Sequence, residues 1–150
     1  MVKLGIIGCG NIGRFVMRNL PRDDFQEFSL QVIADLPAVE EGLRELAATY
    51  HCAYTINPAS LALRKLDVVL EAAKPDVVKT YVPGLLRAGT SVLALSVGAF
   101  ADPDCLHEAR QAAREGGSRL LLPTGAIVPT INEPKAAAPS AAPALPCRTI

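Results

Sequence analysis

Three observations predict an α/β fold with a parallel sheet and helices on both of its faces. Short apolar runs alternate with segments of helical periodicity along most of the chain. The first run ends in a cluster of glycines, and the second ends at an acid. Strands and helices in that alternation imply right-handed crossovers and a doubly wound sheet. The alternation fades near residue 131, so one folded domain over 1–131 and a disordered Ala/Pro-rich tail over 132–150 are expected.

Leu4-Gly5-Ile6-Ile7 is apolar throughout, the pattern of a strand covered on both faces. Behind it Ile12, Phe15, Val16, Asn19 and Leu20 recur at helical spacing until Pro21 stops the helix. Leu30 to Ala34 is a second strand, ending at Asp35, and Val39 to Tyr50 carries Leu43, Leu46, Ala47 and Tyr50 on one helical face. Ala53 to Ile56 is a weak third strand; Asp67 to Glu71, with its Val-Val-Leu centre, is a strong fourth. Pro75 suits a first helical turn, Val77, Val78, Tyr81, Val82 and Leu85 form the face that follows, and Gly89 ends it. Ser91 to Leu95 is the fifth strand. Asp102-Pro103 opens a further helix that Gly116-Gly117 terminates, and Arg119 to Leu122 is the sixth strand.

The 150 residues carry 15 Lys and Arg against 15 Asp and Glu. No basic excess is present to neutralise a phosphate backbone, so nucleic acid is not an expected partner. No apolar run approaches the ~18 residues that argue for a membrane span. Ile6-Ile7-Gly8-Cys9, with Lys3 before it, has the look of a lipoprotein processing box, but its apolar stretch falls short of the roughly 7 to 15 residues of a signal-peptide core. Cys9, Cys52, Cys105 and Cys147 are scattered and unpaired in spacing, which fits reduced thiols, a cytoplasmic location and no metal site.

Gly8-Cys9-Gly10-Asn11-Ile12-Gly13 is a GxGxxG motif set between the first strand and the first helix. Its glycines permit in turn a tight turn, close approach of a pyrophosphate to the backbone, and close packing of helix on strand. Asp35 follows about 20 residues later, where an acid can bind the adenosine ribose hydroxyls. The whole reads as a Rossmann-type dinucleotide-binding domain. A carboxylate at Asp35 opposes the extra phosphate of NADP, and Leu36-Pro37 offers no cation, so NAD is favoured while NADP stays open. Cys9, close to a helix N-terminus, is either an activated thiol or a small filler residue.

Val69-Leu70-Glu71-Ala72-Ala73, Tyr81-Val82-Pro83, Ser96-Val97-Gly98-Ala99-Phe100-Ala101-Asp102 and Leu122-Pro123-Thr124-Gly125-Ala126-Ile127, together with the glycine loop, resemble the cofactor domain of the L-aspartate dehydrogenases over roughly residues 1 to 128. The resemblance implies oxidation of L-aspartate to iminoaspartate with hydride transfer to NAD or NADP, in the service of NAD biosynthesis. It implies that Gly8, Gly10, Asn11, Ile12 and Gly13 hold the pyrophosphate and Asp35 the ribose. Ala72, Ala73, Ser96, Val97, Gly98 and Ala99 would line the nicotinamide end. For Ser96, a turn residue bonding its own backbone is the competing reading.

Where that family continues into a Gly-Gly-rich helix start and a substrate domain, this chain reads Val128-Pro129-Thr130-Ile131 and then the Ala/Pro segment. The expectation is a truncated form, a cofactor domain without its substrate half and without catalytic residues. Neither His51 nor His107 lies in a matching motif. Two alternatives stand beside this: a non-catalytic nucleotide-binding or interaction module, and a relative of homoserine dehydrogenase or dihydrodipicolinate reductase. Oligomeric state is not legible, although an uncovered apolar sheet edge or helix face would favour a homo-oligomer.

Overall fold

The computed structural model describes residues 1–123. Six strands, β1 (Val2–Ile7), β2 (Phe28–Ala34), β3 (Ala53–Thr55), β4 (Val68–Glu71), β5 (Ser91–Ala94) and β6 (Leu120–Leu121), form one sheet in the order β3-β2-β1-β4-β5-β6. Every neighbouring pair is parallel. Four α-helices connect them: α1 (Asn11–Asn19), α2 (Glu40–Thr49), α3 (Pro75–Arg87) and α4 (Pro103–Gly116).

The period-2 alternation of the strands sorts their side chains into two cores. Leu4 and Ile6 of β1, Ile33 of β2 and Leu70 of β4 pack with Met17 of α1 and with Leu43 and Ala47 of α2. Ile7, Val32 and Val69 face the other way, onto α3 and α4. Ile6 and Ile7 are almost fully buried, one in each layer, and burial of a side chain of that size contributes roughly 1.5–3 kcal/mol. The doubly wound arrangement follows, with α1 and α2 on one face and α3 and α4 on the other.

The connection from β3 to β4 differs from the others. It crosses the sheet through a 3₁₀ segment, Pro58–Leu63, over residues to which the helical pattern assigns nothing. Asn57 caps it by accepting a bond from the Ala59 N–H, and Pro58 and Leu61 anchor it in the core. This crossing reverses the winding, so the order turns between β1 and β4 and leaves a crevice at their carboxyl ends. The Thr124-Gly125-Ala126-Ile127 stretch, Cys147 and the Ala/Pro tail lie outside the described residues.

Candidate functional site

At the crevice two turns meet. The Ala72 N–H donates to the Ile7 carbonyl at 2.8 Å, which seats the turn after β4 against the turn after β1. Gly8 has φ +91°, and a Cβ there would stand 2.7 Å from the Ala72 carbonyl group and the Ala73 nitrogen, so both conformation and space demand glycine. At Gly13 a Cβ would run into the Gly8 carbonyl oxygen, which brings the first turn of α1 onto the loop. Gly10 is different: nothing lies within 4 Å of where its Cβ would be. The fold does not need glycine there, and the space above it is open.

Helix α1 begins at this open space without a side-chain cap and without an acid in its first turn. Its leading N–H groups therefore carry partial positive charge with no side chain to meet it. Such a terminus suits an anion such as a pyrophosphate. Asn11 and Ile12 are both exposed beside it, Ile12 at 55 %.

Asp35 closes β2 at the rim of the same crevice. One of its oxygens accepts the Cys9 N–H at 2.7 Å and the other accepts the Leu36 N–H at 2.8 Å. The carboxylate is thus held in place by the loop, and each oxygen keeps a lone pair for a ligand hydroxyl. A cavity of about 240 Å³ joins Gly8, Gly10 and Asp35 to Ala72 and Ala73, with apolar walls from Leu36, Pro58 and Val77 and with Lys74 at its edge. A second hollow, of about 450 Å³, lies between the glycine loop, Asp35 and α2 and includes Arg14. An acid beside apolar walls and an uncapped helix start fits the sugar, base and phosphate of a dinucleotide.

Ala72 and Ala73, in the turn after β4, line the same cavity as Asp35. Ser96, Val97, Gly98 and Ala99 belong to the turn after β5, a 3₁₀ segment over Val97–Ala101. Of these, Val97 and Gly98 are exposed, whereas Ala99 is sealed in the core, so its methyl group is closed to any ligand. The Ser96 hydroxyl donates to Glu71 at 2.8 Å rather than to its own backbone. Glu71 is fully buried and also accepts the Ala73 and Ser96 N–H groups. The Val69-Leu70-Glu71 stretch by itself gives Glu71 no role; an acid at the end of an all-apolar strand is the signal that marks it. Arg14, Leu36 and Lys74 adjoin Gly13, Asp35 and Ala73 in sequence without a motif signal of their own, and Pro58 and Val77 reach the site only through the folded crossovers.

Cys9 is the filler residue of the two readings. Burial, reinforced by the nearby Asp35 carboxylate, pushes its thiol up to about 12, and this outweighs the lowering by Arg14. His51 and His107 are both exposed and line neither cavity. Among the described residues no group of three or more His, Cys, Asp or Glu could hold a metal ion, and no helix is long and apolar enough to cross a membrane.

A family model described as homoserine dehydrogenase, NAD binding domain, matches residues 8–123. An L-aspartate dehydrogenase of Methanosarcina acetivorans is 35 % identical over 129 residues, covering 85 % of this chain and 46 % of that protein. The L-aspartate dehydrogenase of Archaeoglobus fulgidus is 34 % identical over 125 residues, covering 83 % of this chain and 47 % of its own length. The chain spans about half the length of the curated relatives it matches. Among solved structures, the WlbA dehydrogenase of Bordetella pertussis in complex with NADH and UDP-GlcNAcA superposes with a TM-score of 0.70 at 18 % identity, over 81 % of this chain and 36 % of that one. A probable dehydrogenase of Thermotoga maritima gives 0.69 at 21 % identity, over 81 % and 35 %.

Proposed function

Because the chain belongs to the family of the homoserine dehydrogenase NAD-binding domain, we propose that it is the dinucleotide-holding part of an oxidoreductase similar to the L-aspartate dehydrogenases. The observation that carries the site is the uncapped start of α1 above an open Gly10, flanked by Asp35. In this reading the loop from Gly8 to Gly13 takes the pyrophosphate, Asp35 takes the adenosine ribose, and Leu36, Pro58 and Val77 enclose the base. Ala72 and Ala73, on the wall shared with Asp35, lead toward the nicotinamide end, which falls to exposed Val97 and Gly98 of the turn after β5.

The bound dinucleotide supplies a hydride acceptor. The chain's own residues bind it, orient it and fix which part of it faces β4 and β5. The substrate we assign is L-aspartate, with iminoaspartate as product and NAD biosynthesis as the setting. That chemistry needs an oriented amino acid and a proton acceptor beside the cofactor. Residues 1–131 act in this reading as one domain, in the cytoplasm, with neither nucleic acid nor membrane as partner and with self-association as a homo-oligomer.

Calorimetric titration of the 150-residue chain with NAD and NADH, followed by an aspartate-dependent absorbance assay, tests this. Binding is expected, and Gly10→Val should weaken it at least about tenfold, or ~1.4 kcal/mol, while leaving the circular dichroism unchanged. Unchanged affinity in that variant would sink the loop assignment. Binding without NADH formation from aspartate is the expected outcome for a chain that spans about half the length of its relatives, whereas NADH formation by this chain alone would overturn its reading as only the dinucleotide-holding part.

A further inference from the structure

We propose that the outward face of α1, together with the 3₁₀ turn that follows it over Asp23–Phe25, is the surface on which a second copy of this chain docks about a two-fold axis. The inference rests on the homo-oligomer proposed above, to which it gives a face, and is independent of the cofactor site.

At 3.6 residues per turn, Phe15 falls on the side of α1 opposite Gly13 and Met17, which are both buried. Its ring is 66 % exposed, at a point that an amphipathic helix ordinarily gives to a polar residue. Phe25, in the 3₁₀ turn, is 41 % exposed. The two rings share a groove of about 320 Å³ with Val16 and Leu20, and Asn19 and Arg22 stand beside it. Leu36 and Val39, also exposed, line the cavities at the crevice and have a role there. Phe15 and Phe25 line neither of those cavities.

The surroundings of the groove carry both signs of charge. Arg18 and Arg22 are exposed at the α1 side, and Asp23 and Asp24 at the side of the 3₁₀ turn. None of the four takes part in an ion pair found among the described residues. Arg22 donates to the Asn19 side chain at 3.3 Å and Asp23 accepts from that of Gln26 at 3.0 Å, both neutral partners. Two cations and two anions around an apolar centre suit neither a basic nor an acidic partner, but they suit a copy of themselves. About a two-fold axis the arginines of each protomer meet the aspartates of the other, and every contact is made twice. The aromatic rings then form the dry centre and the charges the rim. An interface built on so few residues belongs to the weak, concentration-dependent class. The groove lies toward the end of α1 remote from the glycine loop, so the crevice stays open in the dimer.

The test is sedimentation velocity of the full chain over a concentration series spanning the micromolar range, with circular dichroism to confirm that each variant is folded. The wild type should pass from monomer to dimer as concentration rises. Phe15→Ser should weaken the dimer about tenfold or more, or ~1.4 kcal/mol. The double variants Arg18→Glu/Arg22→Glu and Asp23→Lys/Asp24→Lys should each be monomeric alone, because each sets like charges against one another across the axis. An equimolar mixture of those two should dimerise again, since opposite signs then face each other in both halves of the interface. A dimer that all three variants leave intact overturns this face while the homo-oligomer stands, and a mixture that fails to reassociate overturns the two-fold pairing of its charges. A wild type that stays monomeric throughout overturns the face and the homo-oligomer together.

Discussion

Cys9 illustrates how one residue answers to two opposed fields. A helix start a residue away favours a thiolate, whereas burial and the Asp35 carboxylate favour the thiol, and burial prevails, holding the group up to about 12. The sign of the pH effect follows. Below the ordinary value of 9.0 the thiol is protonated whether the chain is folded or not, and its contribution to stability is fully present. Between pH 9 and about 12 the unfolded chain gives up a proton that the native chain retains, so stability falls by up to ~1.4 kcal/mol per pH unit. Urea unfolding at pH 8, 9 and 10 should show a steeper decline for the wild type than for Cys9→Ala. Parallel curves would mean that Cys9 is not held protonated. None of this was legible in the motif, which places Cys9 in the loop without saying which way its side chain turns.

At the scale of elements, the sequence locates the six strands and four α-helices of the described residues, because each carries its own period and its own stop signal. The 3₁₀ crossing over Pro58–Leu63 was not legible, since so short a segment repeats too few apolar positions to show a period. Helix ends were read for the right place but not always for the right reason. Gly116 and Gly117 look like a single terminator. Only Gly117, at φ +61°, has the left-handed backbone that ends α4. Gly116 serves packing: a Cβ there would run into the Leu86 carbonyl oxygen at the end of α3, where Ser118 also donates its hydroxyl at 2.7 Å. Gly116→Ala should therefore lower the unfolding free energy by about 2–3 kcal/mol or more through overpacking, against about 1 kcal/mol for Gly117→Ala. Equal midpoints in urea for the two variants would refute the division of labour.

For the molecule as a whole, the site depends on turns from different strands keeping a fixed spacing, and Glu71 is the group that couples two of them. Its Oε1 accepts the Ala73 N–H at 2.8 Å and the Ser96 hydroxyl at 2.8 Å, and its Oε2 accepts the Ser96 N–H at 3.1 Å. Three donors converge on two oxygens with no water-accessible surface. The sequence could show an acid after Val-Val-Leu, but not that residues 25 apart close on it. Replacing either oxygen by an amide nitrogen sets a donor against a backbone donor, so Glu71→Gln should cost about 3 kcal/mol, whereas Ser96→Ala, which removes one bond to the carboxyl group, should cost about 1.5 kcal/mol. In a Glu71→Ala background the Ser96→Ala change should lose most of its effect, because the bond it deletes is already gone. Undiminished cost in that background would mean that Ser96 acts through some other contact. Because the Ala72-Ala73 turn rests directly on Gly8, loosening Glu71 should also weaken cofactor binding, although Glu71 itself lines neither cavity.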